Sequence, residues 1–231
     1  MRQASLYNEL NRGDMRGLNL RVKYWAILAL IASCGCNPAP VDGICDVPME
    51  SVLHKAGDHK ATPSYFYLND LNIDGYRVFE WQVRFMASCL ASEQSPHPWN
   101  KITGITWNSI LQGGGNNTFM FAWRPNFDAM KIELCPYFHN DAGDRFHAAF
   151  PGGLYPEIPT ALVPIDFCAN LQLIVDEINQ QVTFQFAGEG FTASLGEYGP
   201  FDLSGNARYI NPWYGGPDPA PVDINYLLGI K

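Results

Sequence analysis

Beyond residue 63 the chain alternates apolar and polar side chains with a period of two. Phe79, Trp81, Val83 and Phe85 alternate with Glu80, Gln82 and Arg84. Phe167, Ala169, Leu171, Leu173 and Val175 hold one phase, and Val182, Phe184 and Phe186 alternate with Gln181, Thr183 and Gln185. That period marks strands with one face in a core and one face in water. It predicts strands at 64–68, 76–87, 101–107, 118–123, 130–138, 146–150, 167–177, 181–186, 191–195, 207–213 and 222–230. The runs at 118–123 and 130–138 are separated by Arg124-Pro125-Asn126-Phe127-Asp128-Ala129, whose Pro, Asn and Asp favour a turn. They form the central hairpin, with an aromatic core face and a polar face carrying Lys131, Glu133, Cys135 and Tyr137. No segment has helical periodicity. The expected fold is all-β, a two-sheet antiparallel β-sandwich of the jelly-roll type.

The first 33 residues break this pattern. Arg21 and Lys23 precede a short apolar run from Tyr24 to Ile31 that ends Leu30-Ile31-Ala32-Ser33-Cys34. A basic region before a short apolar one is the signature of a secretory signal, and the run is too short to span a bilayer, which needs ~20 residues. Small residues before Cys34 resemble a bacterial lipobox, making Cys34 the expected lipidation site; Met15 opens a tidier signal than Met1. The division is signal segment 1–33, tether and approach segment 34–62, and β-sandwich 63–231. A diacylated or triacylated Cys34 would hold the protein to a membrane. No Asp follows Cys34, which favours the outer membrane or cell surface for an exported, lipid-anchored chain.

Composition sharpens the picture in two ways. Of 15 basic and 23 acidic residues, five and two lie within 1–33, leaving 10 and 21 beyond it. So acidic a body repels phosphate backbones, which argues against nucleic acid as a partner. Six cysteines leave five once Cys34 is lipidated, so at least one is unpaired. Cys36 with Cys45, and Cys135 with Cys168, are possible bridges. Cys89 shares the apolar parity of Phe85 and reads as a buried free thiol. The five histidines lack the spacing of a zinc site.

Several stretches carry a resemblance. They are Trp99-Asn100-Lys101-Ile102-Thr103-Gly104-Ile105, Phe119-Met120-Phe121-Ala122-Trp123-Arg124, Lys131-Ile132-Glu133-Leu134-Cys135-Pro136-Tyr137, and Tyr209-Ile210-Asn211-Pro212-Trp213-Tyr214-Gly215-Gly216 followed by Ala220-Pro221-Val222-Asp223-Ile224. Over about residues 64–231 the chain resembles uncharacterised bacterial and phage-associated proteins with concanavalin A-like jelly-roll sandwiches. It departs from their pattern at Ala122, where they carry Gly, and at Trp213-Tyr214. The resemblance implies the sandwich and no established activity. It makes Asp223 a candidate ligand for a structural calcium ion, against a plain role as a turn cap. No other cofactor is expected.

Sandwiches of this kind bind ligands on the concave sheet. Glu80, Gln82, Arg84, Lys131, Glu133, Tyr137 and His139 are the polar candidates for such a groove, with Trp107 and Arg124 to stack and hydrogen-bond. Flat aromatic faces with a few polar groups suit sugar rings. Trp81 and Trp123 read as core. A glycoside hydrolase would want paired carboxylates, and Glu133 stands alone on its strand. A lyase has Arg84, Tyr137, His139 and His147 available but lacks a Gln-x-His strand, and no Gly-x-Ser-x-Gly motif is present. The expectation is non-catalytic binding of a glycan or other surface ligand. The alternatives are a polysaccharide lyase or glycoside hydrolase with a degenerate motif, or a structural protein of an envelope or phage-related assembly.

Overall fold

The computed structural model of the chain describes residues 44–62, 75–91, 99–108, 115–148, 155–215 and 218–231. The central hairpin is present. β5 (Thr118–Asn126) pairs antiparallel with β6 (Lys131–His139) in unbroken register from Thr118↔His139 to Asn126↔Lys131. Pairing runs through Arg124, Pro125 and Asn126, so only 127–130 turn. Asn126 Oδ1 accepts the Ala129 amide at 2.9 Å and Met130 takes φ 52°, the local closure that Asn favours.

β4 (Asn100–Thr106) flanks β5, and β12 (Arg208–Tyr209) flanks β4. On the far side, β7 (Arg145–His147) pairs the end of β6 and β8 (Ala161–Val163) pairs its beginning. β8 falls between the strands expected at 146–150 and 167–177, where none was predicted. The register slips by one residue between Lys101 and Thr103. Just beyond, a Cβ on Gly104 would run into the Phe119 carbonyl, so only glycine fits.

The opposing sheet runs β11 (Glu189–Ser194), β10 (Gln181–Phe186), β9 (Cys168–Asp176), β3 (Tyr76–Phe85), β13 (Ile224–Ile230), β1 (Glu50–His54), β2 (Ala61–Thr62). Every strand pairing in both sheets is antiparallel. Rings from the two inner faces interlock: Trp81 meets Phe121 edge-on at 6.1 Å, Phe121 meets Phe184 at 5.6 Å, and Phe85 meets Trp123 at 5.5 Å. Each is fully buried, which stabilises by about 2–3 kcal/mol per side chain. The fold is an all-β, two-sheet jelly-roll sandwich, and Trp81 and Trp123 are core.

Four expectations change. The approach segment holds strands: β1 and β2 belong to the seven-stranded sheet, because Val52 and His54 point inward beside Tyr226 and Ile224. β3 stops at Phe85 and a 3-10 turn, Ala87–Ala91, follows; Cys89 is a buried thiol outside any disulfide, as expected, but not on a strand. The strand at 207–213 shrinks to Arg208–Tyr209 with isolated bridges from Trp213 to Lys60 and Lys101. The disulfide joins Cys45 to Cys168, with Cα atoms 5.4 Å apart, and Cys135 is a buried free thiol. Cys135 and Cys168 could not pair because they sit on different sheets. The signal segment 1–33, Cys34, Cys36 and the strand at 64–68 lie outside the described residues.

Candidate functional site

β6 sorts its side chains as the alternation requires. Ile132, Leu134 and Phe138 enter the core; Lys131, Glu133, Cys135, Tyr137 and His139 take the opposite, outer face. An outer sheet face is ordinarily polar because it is wet. This one is polar and largely dry: Lys101 is 6% exposed, Tyr137 5%, His139 4% and Glu133 8%. Burying such groups is costly unless each finds a partner, so the partners define the site.

Arg124 and Glu133 sit opposite each other on β5 and β6, and Arg124 Nε donates to Glu133 Oε2 at 2.6 Å. The Arg124 guanidinium lies 4.6 Å from the Trp99 ring centroid, a cation–π contact in the favourable range. Lys101, in register with Ala122, sends Nζ to the carbonyls of Trp99 (2.9 Å) and Gly215 (3.4 Å) and 4.7 Å from the Tyr137 ring centroid. Tyr137 stacks on His147 at 5.0 Å with planes 12° apart, because β7 pairs the two residues directly. Arg145, two residues earlier on that strand and opposite His139, brings its charge near the Tyr137 phenol. His139 Nδ1 donates to the Gly115 carbonyl at 3.3 Å.

The electrostatics follow from burial. Loss of water lowers the Lys101 ammonium to about 8, and the nearby Arg145 charge pushes the same way. Burial raises the Tyr137 phenol to about 12 and raises the Cys135 thiol. His147 is lowered, first by burial and then by the charges of Lys101, Arg145 and Arg124. Neutral His147 and protonated Tyr137 therefore face two cations.

The structure divides the predicted groove. Arg124, Lys131, Glu133, Tyr137 and His139 share the outer face of the six-stranded sheet. Glu80, Gln82 and Arg84 lie on the outer face of the other sheet, across the sandwich, so the two sets cannot line one groove. There Glu80 accepts from Gln172 (2.9 Å), Gln82 donates to Asn170 (2.9 Å) and Arg84 pairs with Asp166 (3.5 Å). Trp107 packs edge-on against core Phe119 at 5.8 Å rather than standing exposed. Asp223 Oδ1 accepts the Ala56 amide at 2.9 Å, the contact of a turn cap. Among the described residues no group of three or more His, Cys, Asp or Glu side chains is gathered for a metal. An open groove lined by exposed aromatics is replaced by a filled face that opens toward its edge strand, where Arg145 is exposed and His147 half-buried.

Three members of the cluster were not among the sequence candidates: Trp99, Lys101 and Arg145. Arg145 takes the place at Tyr137 that Arg84 was expected to fill. The signal for Lys101 was its position as the one charged residue of its strand, an isolated charge where a core strand has no use for one.

No family model matches the chain, and no curated protein sequence matches it. Solved structures do. Alginate lyase vAL-1 from Chlorella virus matches at 12% identity and TM-score 0.46, over 78% of this chain and 81% of that one. An alginate lyase from Alteromonas sp. 272 matches at 12% identity and TM-score 0.46, over 85% and 90%. A Bacteroides ovatus mixed-linkage glucan GH16 protein matches at 10% identity and TM-score 0.41, over 81% and 83%. These are likenesses of fold.

Proposed function

We propose that this is an exported, lipid-anchored sandwich protein that binds a glycan, without chemistry on it, at the open edge of its six-stranded sheet. The observation that carries the reading is the stacked Tyr137–His147 pair, backed by Trp99 and bordered by the Arg145 and Arg124 guanidiniums. Flat rings beside fixed hydrogen-bond donors suit a sugar ring. A Cys45–Cys168 disulfide favours an oxidising compartment and so supports export. Glycan-array binding by the full chain tests the reading: wild type binds at least one glycan class, and His147→Ala weakens that binding about tenfold. Equal binding by both proteins would place the ligand elsewhere. Cys34→Ser should release the protein from membranes, and continued attachment would remove the anchor from the proposal.

A second reading, a lyase, draws on the convergence of Arg145, Tyr137 and His147. It has less support. A general base working near neutral pH wants a pKa near 7, whereas burial lifts Tyr137 to about 12. Incubation with acidic polysaccharides, followed by the ultraviolet absorbance of an unsaturated product sugar, separates the readings.

A further inference from the structure

The outer face of the six-stranded sheet has the opposite charge balance to the chain that carries it. The protein has a formal net charge of −8. Yet this face gathers Lys101, Arg124, Lys131 and Arg145, with His139 and His147, around one carboxylate, Glu133. That carboxylate is committed to Arg124 at 2.6 Å. Among the described residues no ion pair joins Lys101 or Arg145 to a carboxylate. Asp144, next to Arg145 in sequence, instead accepts from Asn140 Nδ2 at 3.0 Å. Lys101 is held by two carbonyls and a ring, contacts that orient an ammonium but do not neutralise it.

We infer that the glycan bound at this edge is anionic, and that its carboxylate or sulfate docks between Arg145 and His147 with the Lys101 charge behind Tyr137. This rests on the glycan-binding reading and specifies its ligand class. Two uncompensated cations face one phenol here. An anion at that point would lessen their mutual repulsion and accept directly from an exposed guanidinium, the side chain best shaped for carboxylates and sulfates. A neutral sugar would leave the charge arrangement without a use. Arg145 is the specificity-determining residue, because it alone of the pair is exposed. Lys101 is a positioning residue that adds field from below. Its lowered ammonium makes binding weaken as pH rises through about 8, where that charge is lost. Neutral His147 stacks and Tyr137 donates or accepts a hydrogen bond; neither brings opposing charge.

The test is titration of the full chain with oligogalacturonate, its methyl ester, and a sulfated oligosaccharide of similar length, at low and physiological salt. The expected result is that an acidic oligosaccharide binds, that the ester binds at least tenfold more weakly, and that salt weakens the acidic ligand alone. Arg145→Gln should cost about tenfold or more, the scale of one charge-assisted hydrogen bond, with Arg145→Lys recovering part of it. Because Lys101→Met is buried and threatens folding, its melting temperature is measured alongside; Arg145, being exposed, carries the decision. Equal affinity for acid and ester overturns the anion inference and leaves glycan binding standing. Arg145-dependent binding of inorganic sulfate with no binding of any oligosaccharide overturns the glycan reading and leaves the anion site. No binding of any of these probes overturns both.

Discussion

At the scale of single residues, His54 shows how burial becomes pH dependence. It points into the core from β1, 5.9 Å from the ring centroids of both Tyr214 and Tyr226. Nδ1 donates to the His59 carbonyl at 3.2 Å, and Nε2 has no hydrogen-bond partner among the described residues. Burial lowers its pKa to about 4, so the native protein holds it neutral. The unfolded chain protonates it near pH 6.5. Between those values the unfolded state binds more protons, and stability falls as pH falls. The contribution is fully present above about pH 6.5 and gone below about 4, worth up to about 3 kcal/mol. Urea midpoints at pH 7 and 4.5 should therefore drop more for wild type than for His54→Gln. Parallel losses would assign the acid sensitivity to other groups.

At the scale of elements, the β4–β5 contact is set by backbone rather than by side-chain choice. Gly104→Ala should lower stability by about 2 kcal/mol or more, since the obstacle is the Phe119 carbonyl and the neighbouring backbone of Met120, which cannot rotate aside. Gly190→Ala, where the nearest atom to an added Cβ is the Phe184 carbonyl at 3.8 Å, should change stability by no more than about 0.5 kcal/mol. Chemical denaturation of the two variants compares them directly, and similar losses would mean the close approach at Gly104 is readily relieved. Alternation made the strands readable, and it assigned Glu133 and Tyr137 correctly to the face opposite Phe138. It could not say which sheet a strand joins. That is why Glu80, Gln82 and Arg84, with the same pattern, were grouped with residues on the far side of the molecule. Nor does parity tell whether a polar face is wet. Lys131, Glu133 and Tyr137 alternate as a solvated strand would, yet Glu133 and Tyr137 are buried in a network of long-range partners. β1 escaped notice because His54 occupies a core position where the pattern seeks an apolar residue. β7 was expected at 146–150 and starts one residue earlier, at Arg145, because three residues with a single inward Phe146 are too few to fix its bounds.

Over the whole molecule, residues 45–48, just before β1, are fastened across the outer face of the seven-stranded sheet. Cys45 bonds Cys168 at the start of β9, 123 residues away. The Asp46 amide donates to Gln82 Oε1 at 2.9 Å, and Asp46 Oδ2 lies 3.3 Å from Lys231 Nζ. Gly229 lets the segment pass closely: a Cβ there would stand 2.6 Å from Val47 Cγ2 and 2.8 Å from the Pro48 carbonyl. This packing accounts for buried Gln82 on a face expected to be wet. A cross-link closing so long a loop restricts the unfolded chain strongly, and its loss should cost about 2–5 kcal/mol. Unfolding followed with and without reductant measures this, and the Cys45→Ser/Cys168→Ser protein should match the reduced wild type. Cys89 and Cys135 supply an internal control. Both thiols are buried, with pKa values raised by that burial, so an alkylating reagent should leave them untouched in the native oxidised protein and label both after denaturation. Labelling of Cys135 without denaturant would show that solvent reaches the outer face of the six-stranded sheet behind Tyr137, and would move the proposed ligand from the edge strand toward the centre of that face.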